Sequence, residues 1–105
     1  MNSKFKSCIE ACQECLVECQ NCLMEMAGKS SMNDCPKCCA ICIDACYVCI
    51  KFMAADSHYA SKYCELCAEI CEWCAQECDA HEHDHCKQCA ESCRKCAEEC
   101  RKMAA

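Results

Sequence analysis

Glycine and proline each occur once in these 105 residues, at Gly28 and Pro36. A β-domain of this length needs a tight turn every few residues, and such turns draw on glycine, proline and asparagine clusters that are missing here. Helix is therefore the expected element throughout. Aromatic residues make up only 6% of the chain, too few for an aromatic core. No run approaches the roughly 18 consecutive apolar residues of a membrane span. Basic charge is also short, with 11 Lys and Arg against 17 Asp and Glu and a net charge of -6. That balance excludes a nucleic-acid partner, whose phosphates reward a concentrated basic face.

What the chain has is cysteine, 21 residues of it, in four runs. The first is Cys8, Cys12, Cys15, Cys19 and Cys22, and the second Cys35, Cys39, Cys42, Cys46 and Cys49 with Cys38 as an extra member. Cys64, Cys67, Cys71, Cys74 and Cys78 form the third, and Cys86, Cys89, Cys93, Cys96 and Cys100 the fourth. Steps alternating between three and four residues put each run on one stripe of a helix. Thiols thus occupy the seam where a helical bundle carries leucine. The hydrophobic fraction of 54% counts these cysteines, so the thiols, or what they bind, must fill the interior. Neutral cysteine behaves as a small hydrophobe and can pack without metal.

The four runs and the short polar links between them predict one domain over 1–105. Its architecture is all-α, an antiparallel up-down-up-down four-helix bundle with a cysteine-lined core and helices at about 3–27, 33–55, 57–80 and 85–103. Gly28 is a candidate helix C-cap, Asn33 or Asp34 a candidate N-cap with Pro36 in the first turn, and Asp56 or Ser57 a candidate cap for the third helix. Phe5, Met26, Met32, Met53, His81 and Met103 continue the stripes in register. Antiparallel packing then gathers Met26, Met32, His81, His83 and His85 at one mouth. Phe5, Met53 and Met103 gather at the other, near Phe52, Tyr59 and Tyr63. Off the seam, Ile41, Ala45, Val48 and Phe52, then Leu66, Ile70 and Trp73, form apolar stripes that either flank the core or meet another subunit, and Ile9, Leu16 and Leu23 do the same on the first helix.

Helical neighbours at i,i+3 or i,i+4 have Cβ atoms about 5–6 Å apart, too far for a disulfide, which needs about 3.5–4.5 Å. A metal bridging two thiolates fits better, since two bonds of about 2.3 Å span roughly 4.6 Å when linear. Linear or trigonal thiolate coordination suits Cu(I), whereas Zn(II) wants a tetrahedron. Charge points the same way. One Cu(I) per thiolate leaves a neutral core, while each tetrathiolate Zn(II) leaves -2. The expectation is on the order of 10 to 20 Cu(I) per chain, depending on how many sulfurs bridge. Imidazole and thioether are weaker Cu(I) ligands than thiolate, so His81, His85, Met26 and Met32 at the open end suit passage of metal inward or outward. His58 reads as polar surface, and His83 and Met24 carry no assignment. Nothing resembles an acid–base pair or a single activated nucleophile, so the chain does not read as an enzyme.

In Cys8-Ile9-Glu10-Ala11-Cys12-Gln13-Glu14-Cys15, and at the same steps in all four runs, the whole chain resembles the bacterial copper storage proteins, specifically their cytosolic branch. That resemblance implies a homotetramer of four-helix bundles, each holding many Cu(I) ions, with His and Met near one open end. The segment before Cys8 has neither an apolar h-region nor twin arginine, so the cytoplasm is the expected compartment. Glutathione and thioredoxin keep thiols reduced there. Two other readings are a zinc or cadmium buffer of the metallothionein kind, which would fold only around its metal, and an iron–sulfur electron carrier. Iron–sulfur ligands come from loop-borne groups ending in Cys-Pro, and the only Cys-Pro here is Cys35-Pro36.

Overall fold

The computed structural model describes residues 3–30 and 33–105. A short 3₁₀ turn, Ser3–Phe5, leads into α1 (Lys6–Met26), followed by α2 (Lys37–Ala54), α3 (Ala60–Asp79) and α4 (Asp84–Ala104). Each helix packs on its sequence neighbour and α4 closes back on α1. This is the square up-down-up-down bundle, 41 Å long and about 20 Å across. Among the described residues no helix is long and apolar enough to cross a membrane.

All 21 cysteines are buried, and the core they form is joined by Phe5, Ile9, Met26 and Met53 and by small residues on α3 and α4, Ala60, Ala68, Ala75, Ala90 and Ala97. The alanines keep α3 and α4 close without competing for the axis. The same three- and four-residue periodicity that fills the seam with thiols thus decides which face of each helix turns inward.

The connections depart from expectation in instructive ways. Gly28 does not cap α1 directly. Ala27 (φ -59°, ψ 127°) and Gly28 (φ 80°) are the central residues of a type II turn, closed by the Lys29 N–H donating to the Met26 carbonyl at 3.0 Å, and the second position of that turn favours glycine. α2 begins at Lys37 rather than near residue 33, because Pro36 occupies the N-cap position instead of the first turn. Asn33 caps no helix; its Oδ1 accepts from the Cys35 N–H at 3.1 Å and its Nδ2 donates to the Glu77 carbonyl at 2.8 Å, tying this link to α3. Asp56 belongs to the end of α2, not the start of α3. With φ 51° it sits in a Schellman arrangement, in which its own N–H bonds Met53 O at 3.0 Å and the Ser57 N–H bonds Phe52 O at 3.1 Å. Ser57 then accepts the Tyr59 N–H on its Oγ, and α3 starts at Ala60 rather than near residue 57.

The outer faces differ. Lys87 and Arg94 both pair with Asp79, at 3.3 and 2.6 Å, Arg101 pairs with Glu72, and Lys95 pairs with Glu14 at 3.6 Å. All four pairs use α4, and because they are exposed, solvent screens them and they add little to stability. The opposite side carries Val17, Met24, Ile41, Tyr47 and Leu66 exposed, with Leu16, Leu23, Ile43, Ile50, Ile70 and Trp73 half-buried beside them. Of the off-seam stripes, Ile9 is core, whereas Ile41 and Leu66 face outward.

A Cβ at position 28 would meet no heavy atom within 4 Å, so Gly28→Ala isolates the backbone term. Denaturant unfolding of the reduced, metal-free protein should show a loss of about 1–2 kcal/mol for this variant; an unchanged midpoint would mean that the turn is not held in the native state.

Candidate metal centre

The four stripes meet on the bundle axis and bring sulfur within contact of sulfur from one end to the other. At the mouth, Cys22 Sγ lies 3.7 Å from Cys86 and 4.0 Å from Cys35, and Cys35 lies 3.6 Å from Cys78. Further in, Cys39 is 3.6 Å from Cys78, Cys19 is 3.5 Å from Cys89, and Cys42 is 3.6 Å from Cys71. At the far end Cys8 is 3.5 Å from Cys100 and Cys49 is 3.6 Å from Cys64. None is bonded; a disulfide would bring its sulfurs to about 2.05 Å.

Neighbours on one helix are closer than the linear span. The i,i+4 pairs Cys15–Cys19, Cys67–Cys71, Cys74–Cys78 and Cys96–Cys100 are each 3.9 Å apart. Three sulfurs around one ion at about 2.3 Å lie about 4.0 Å from each other, against about 4.6 Å for a linear pair. The empty core is thus spaced for three-sulfur coordination. Since each ion needs three sulfurs, sulfurs shared by two or three ions would hold about 14 to 21 ions. Four-iron clusters fit poorly. Each cysteine there ligates a different iron, so the sulfurs lie farther apart than the ligands of one ion, whereas the quartets in this core close within 4.8 Å.

Cys38, the extra member of the second run, is fully buried between α2 and α3, its Sγ directed at the Cys74 carbonyl 3.9 Å away. The signal was present in the spacing, since residue 38 lies three after Cys35 and four before Cys42, as Cys39 lies four after and three before.

Met26 and His81 are buried at the mouth. His81 Nε2 lies 3.0 Å from Asn33 Oδ1, so the imidazole donates there, and Asn33 orients it. His85 Nδ1 is 3.5 Å from Cys86 Sγ, while its Nε2 is buried with no hydrogen-bond partner. Buried polar nitrogens are seldom left unpaired, and the other nitrogen of this ring adjoins a thiol that itself touches Cys22. The His83 ring stacks on His85 at 5.3 Å, and His83 is exposed. Met32 falls outside the described residues. At the other end Phe5 and Met53 are buried, Met103 is half-buried, and Phe52 stacks on Tyr63 at 4.2 Å. That end is closed by apolar groups. His58 is exposed against Tyr59.

The sequence profile of the copper storage protein (Csp) family matches residues 1–105. The chain belongs to the copper storage protein family. Two solved structures of a member are 41% identical to it and are covered almost end to end. The Cu(I)-bound copper storage protein BsCsp3 superposes with a TM-score of 0.91 over 96% of this chain and 98% of that one. The apo copper storage protein 3 from Bacillus subtilis gives 0.87 over 96% and 99%. A Nitrosospira multiformis protein is 35% identical, with a TM-score of 0.85 over 99% of this chain and 97% of that one. Among curated proteins no sequence matches. Membership in the copper storage family accounts for a feature no ordinary bundle needs, a core axis packed with thiols that are all potential ligands.

Burial pushes the Cys86 thiol above its ordinary value of 9.0, helped by repulsion from Cys22. Around Cys35 the balance reverses, because S–H groups, that of Cys22 first, can donate to its thiolate. A group whose folded value is raised contributes stability that is intact below the unfolded value and lost as pH climbs toward the folded one. Cys86 thus contributes stability to the reduced, metal-free bundle that is intact below about pH 8 and lost above about pH 9, where the unfolded thiol ionises and the buried one does not. Urea midpoints of the wild type and of Cys86→Ser measured across that range check this: the gap between them should narrow as pH rises, and a gap that widens would contradict it.

Proposed function

We propose that this chain binds and stores Cu(I), many ions at a time, through the thiolates of its buried cysteines. The observation that carries this reading is the continuous column of unbonded sulfurs, each 3.5–4.0 Å from the next, together with membership in a storage family whose Cu(I)-bound member superposes on nearly the whole chain. The ligands are the 21 cysteines, acting as one storage domain over 1–105. It is a store and not an enzyme, since its candidate reactive groups form one column of like thiols, and the one thiol with an imidazole beside it, Cys86, is itself part of that column.

Metal enters and leaves at the mouth. His85 is the first imidazole on that path, because its Nδ1 already adjoins Cys86 and its Nε2 has no competing partner. His81 and Met26 complete the port as weaker ligands that pass ions without trapping them. The apolar end opposite gives the column one direction of filling. The store works in the cytoplasm, where so many unpaired thiols stay reduced, and as a homotetramer, with the exposed apolar side of α1, α2 and α3 covered by other copies and α4 facing solvent.

Anaerobic titration of reduced protein with Cu(I) against a chromogenic chelator should withhold on the order of 10 to 20 ions per chain. A plateau at one or two would overturn the reading. The variant His85→Ala should leave that plateau unchanged while altering the rate of loading or of removal by a strong chelator several-fold. Unaltered rates would remove His85 from the path.

A further inference from the structure

The sulfurs also close into figures that three-coordinate copper does not require. Cys15, Cys19, Cys42 and Cys93 lie within 4.8 Å of one another, and four of the six edges are 3.9, 3.8, 3.6 and 3.7 Å. A tetrahedron of sulfurs around zinc, with bonds of about 2.3 Å, has edges of about 3.8 Å. This quartet has the dimensions of a tetrathiolate zinc site before any ion arrives. Cys19, Cys39, Cys74 and Cys89 form another, with edges of 3.5, 3.7 and 3.9 Å. Further quartets are Cys15, Cys42, Cys46 and Cys71, and Cys12, Cys49, Cys67 and Cys100. The last three share no cysteine, so one ion in each leaves the others free to fill. Two of them, those containing Cys74 and Cys100, take one cysteine from every helix, and an ion there clamps the whole bundle.

We propose that the same core takes divalent d¹⁰ cations, zinc or cadmium, as a second and weaker cargo, each ion held by four thiolates of one quartet. The inference uses the cysteines of the copper reading but rests on tetrahedral closure, not on that reading. Each ion displaces four thiol protons to solvent and leaves a site of charge -2, with no change of oxidation state. That charge limits the cargo. The backbone N–H groups that soften tetrathiolate sites in loops are spent inside these helices, and the described ion pairs lie on the surface, not beside the sulfurs. Four sulfurs per ion also cap the capacity, since 21 cysteines hold no more than five quartets. Cu(I) neutralises one thiolate per ion and so displaces the divalent guest, consistent with the general preference of thiolate for soft Cu(I).

Cobalt(II) reports such sites by colour. Reduced full-length protein, titrated anaerobically with Co(II), should develop the intense visible bands of tetrahedral cobalt thiolate and saturate at three to five ions per chain. Zn(II) should bleach them, Cu(I) should then expel the zinc, and the melting temperature should rise with Co(II) or Zn(II). Weak bands of six-coordinate cobalt, saturation below three ions, or zinc that Cu(I) cannot expel would each overturn the proposal. A parallel Cu(I) titration separates the two readings: normal copper loading without tetrahedral cobalt sinks the second cargo alone, and tetrahedral cobalt without copper loading sinks the copper store alone.

Discussion

The structure depends on one constraint, which is that sulfur must pack against sulfur along the whole axis without bonding to it. Thiols at contact distances of 3.5–4.0 Å are close enough to share an ion and too far apart to be a disulfide. A helical backbone enforces that separation within each run, where i,i+4 sulfurs stand 3.9 Å apart. The bundle enforces it between runs. Because neutral cysteine packs as a small hydrophobe, the same residues that wait for metal also hold the empty protein together. The design differs from a loop-rich metal buffer, in which order arrives only with the ion.

The ends of the column follow from the same periodicity. Where each stripe runs past its last cysteine, it continues as methionine, histidine or phenylalanine, and antiparallel packing sorts these by end. Apolar Phe5 and Met53 seal one end. The other carries His81 pinned by Asn33 and His85 beside Cys86, with one imidazole nitrogen buried and unpaired. A charged α4 surface and an apolar α1–α3 surface then give the bundle an inside, a mouth and two kinds of outside.

Most of this was legible in the sequence, because period and ligand chemistry coincide in cysteine. A stripe of 3 and 4 specifies the helix, its inward face and the metal-binding atoms together, so fold and column were readable at once. What was not legible depended on geometry smaller than a residue. Spacing cannot say that the i,i+4 sulfurs lie nearer the trigonal edge than the linear span. It cannot tell Asn33 as a helix cap from Asn33 as the residue that orients His81, since both uses call for the same side chain before a helix. Asp56 could have opened α3, but its left-handed backbone closes α2. The apolar face on α1 and α2 around Val17, Met24, Tyr47 and Ile50 was likewise obscured, because thiols in the seam left aliphatic residues free to look like flanking core.

The central claim is that copper occupies a preformed column, and a crystal structure of the Cu(I)-loaded protein with anomalous scattering at the copper edge tests it most directly. The account predicts copper peaks strung along the bundle axis from Cys22 and Cys86 to Cys8 and Cys64, most with three sulfur ligands, inside helices that have barely moved. Copper confined to the mouth, or helices forced apart to admit it, would contradict the account.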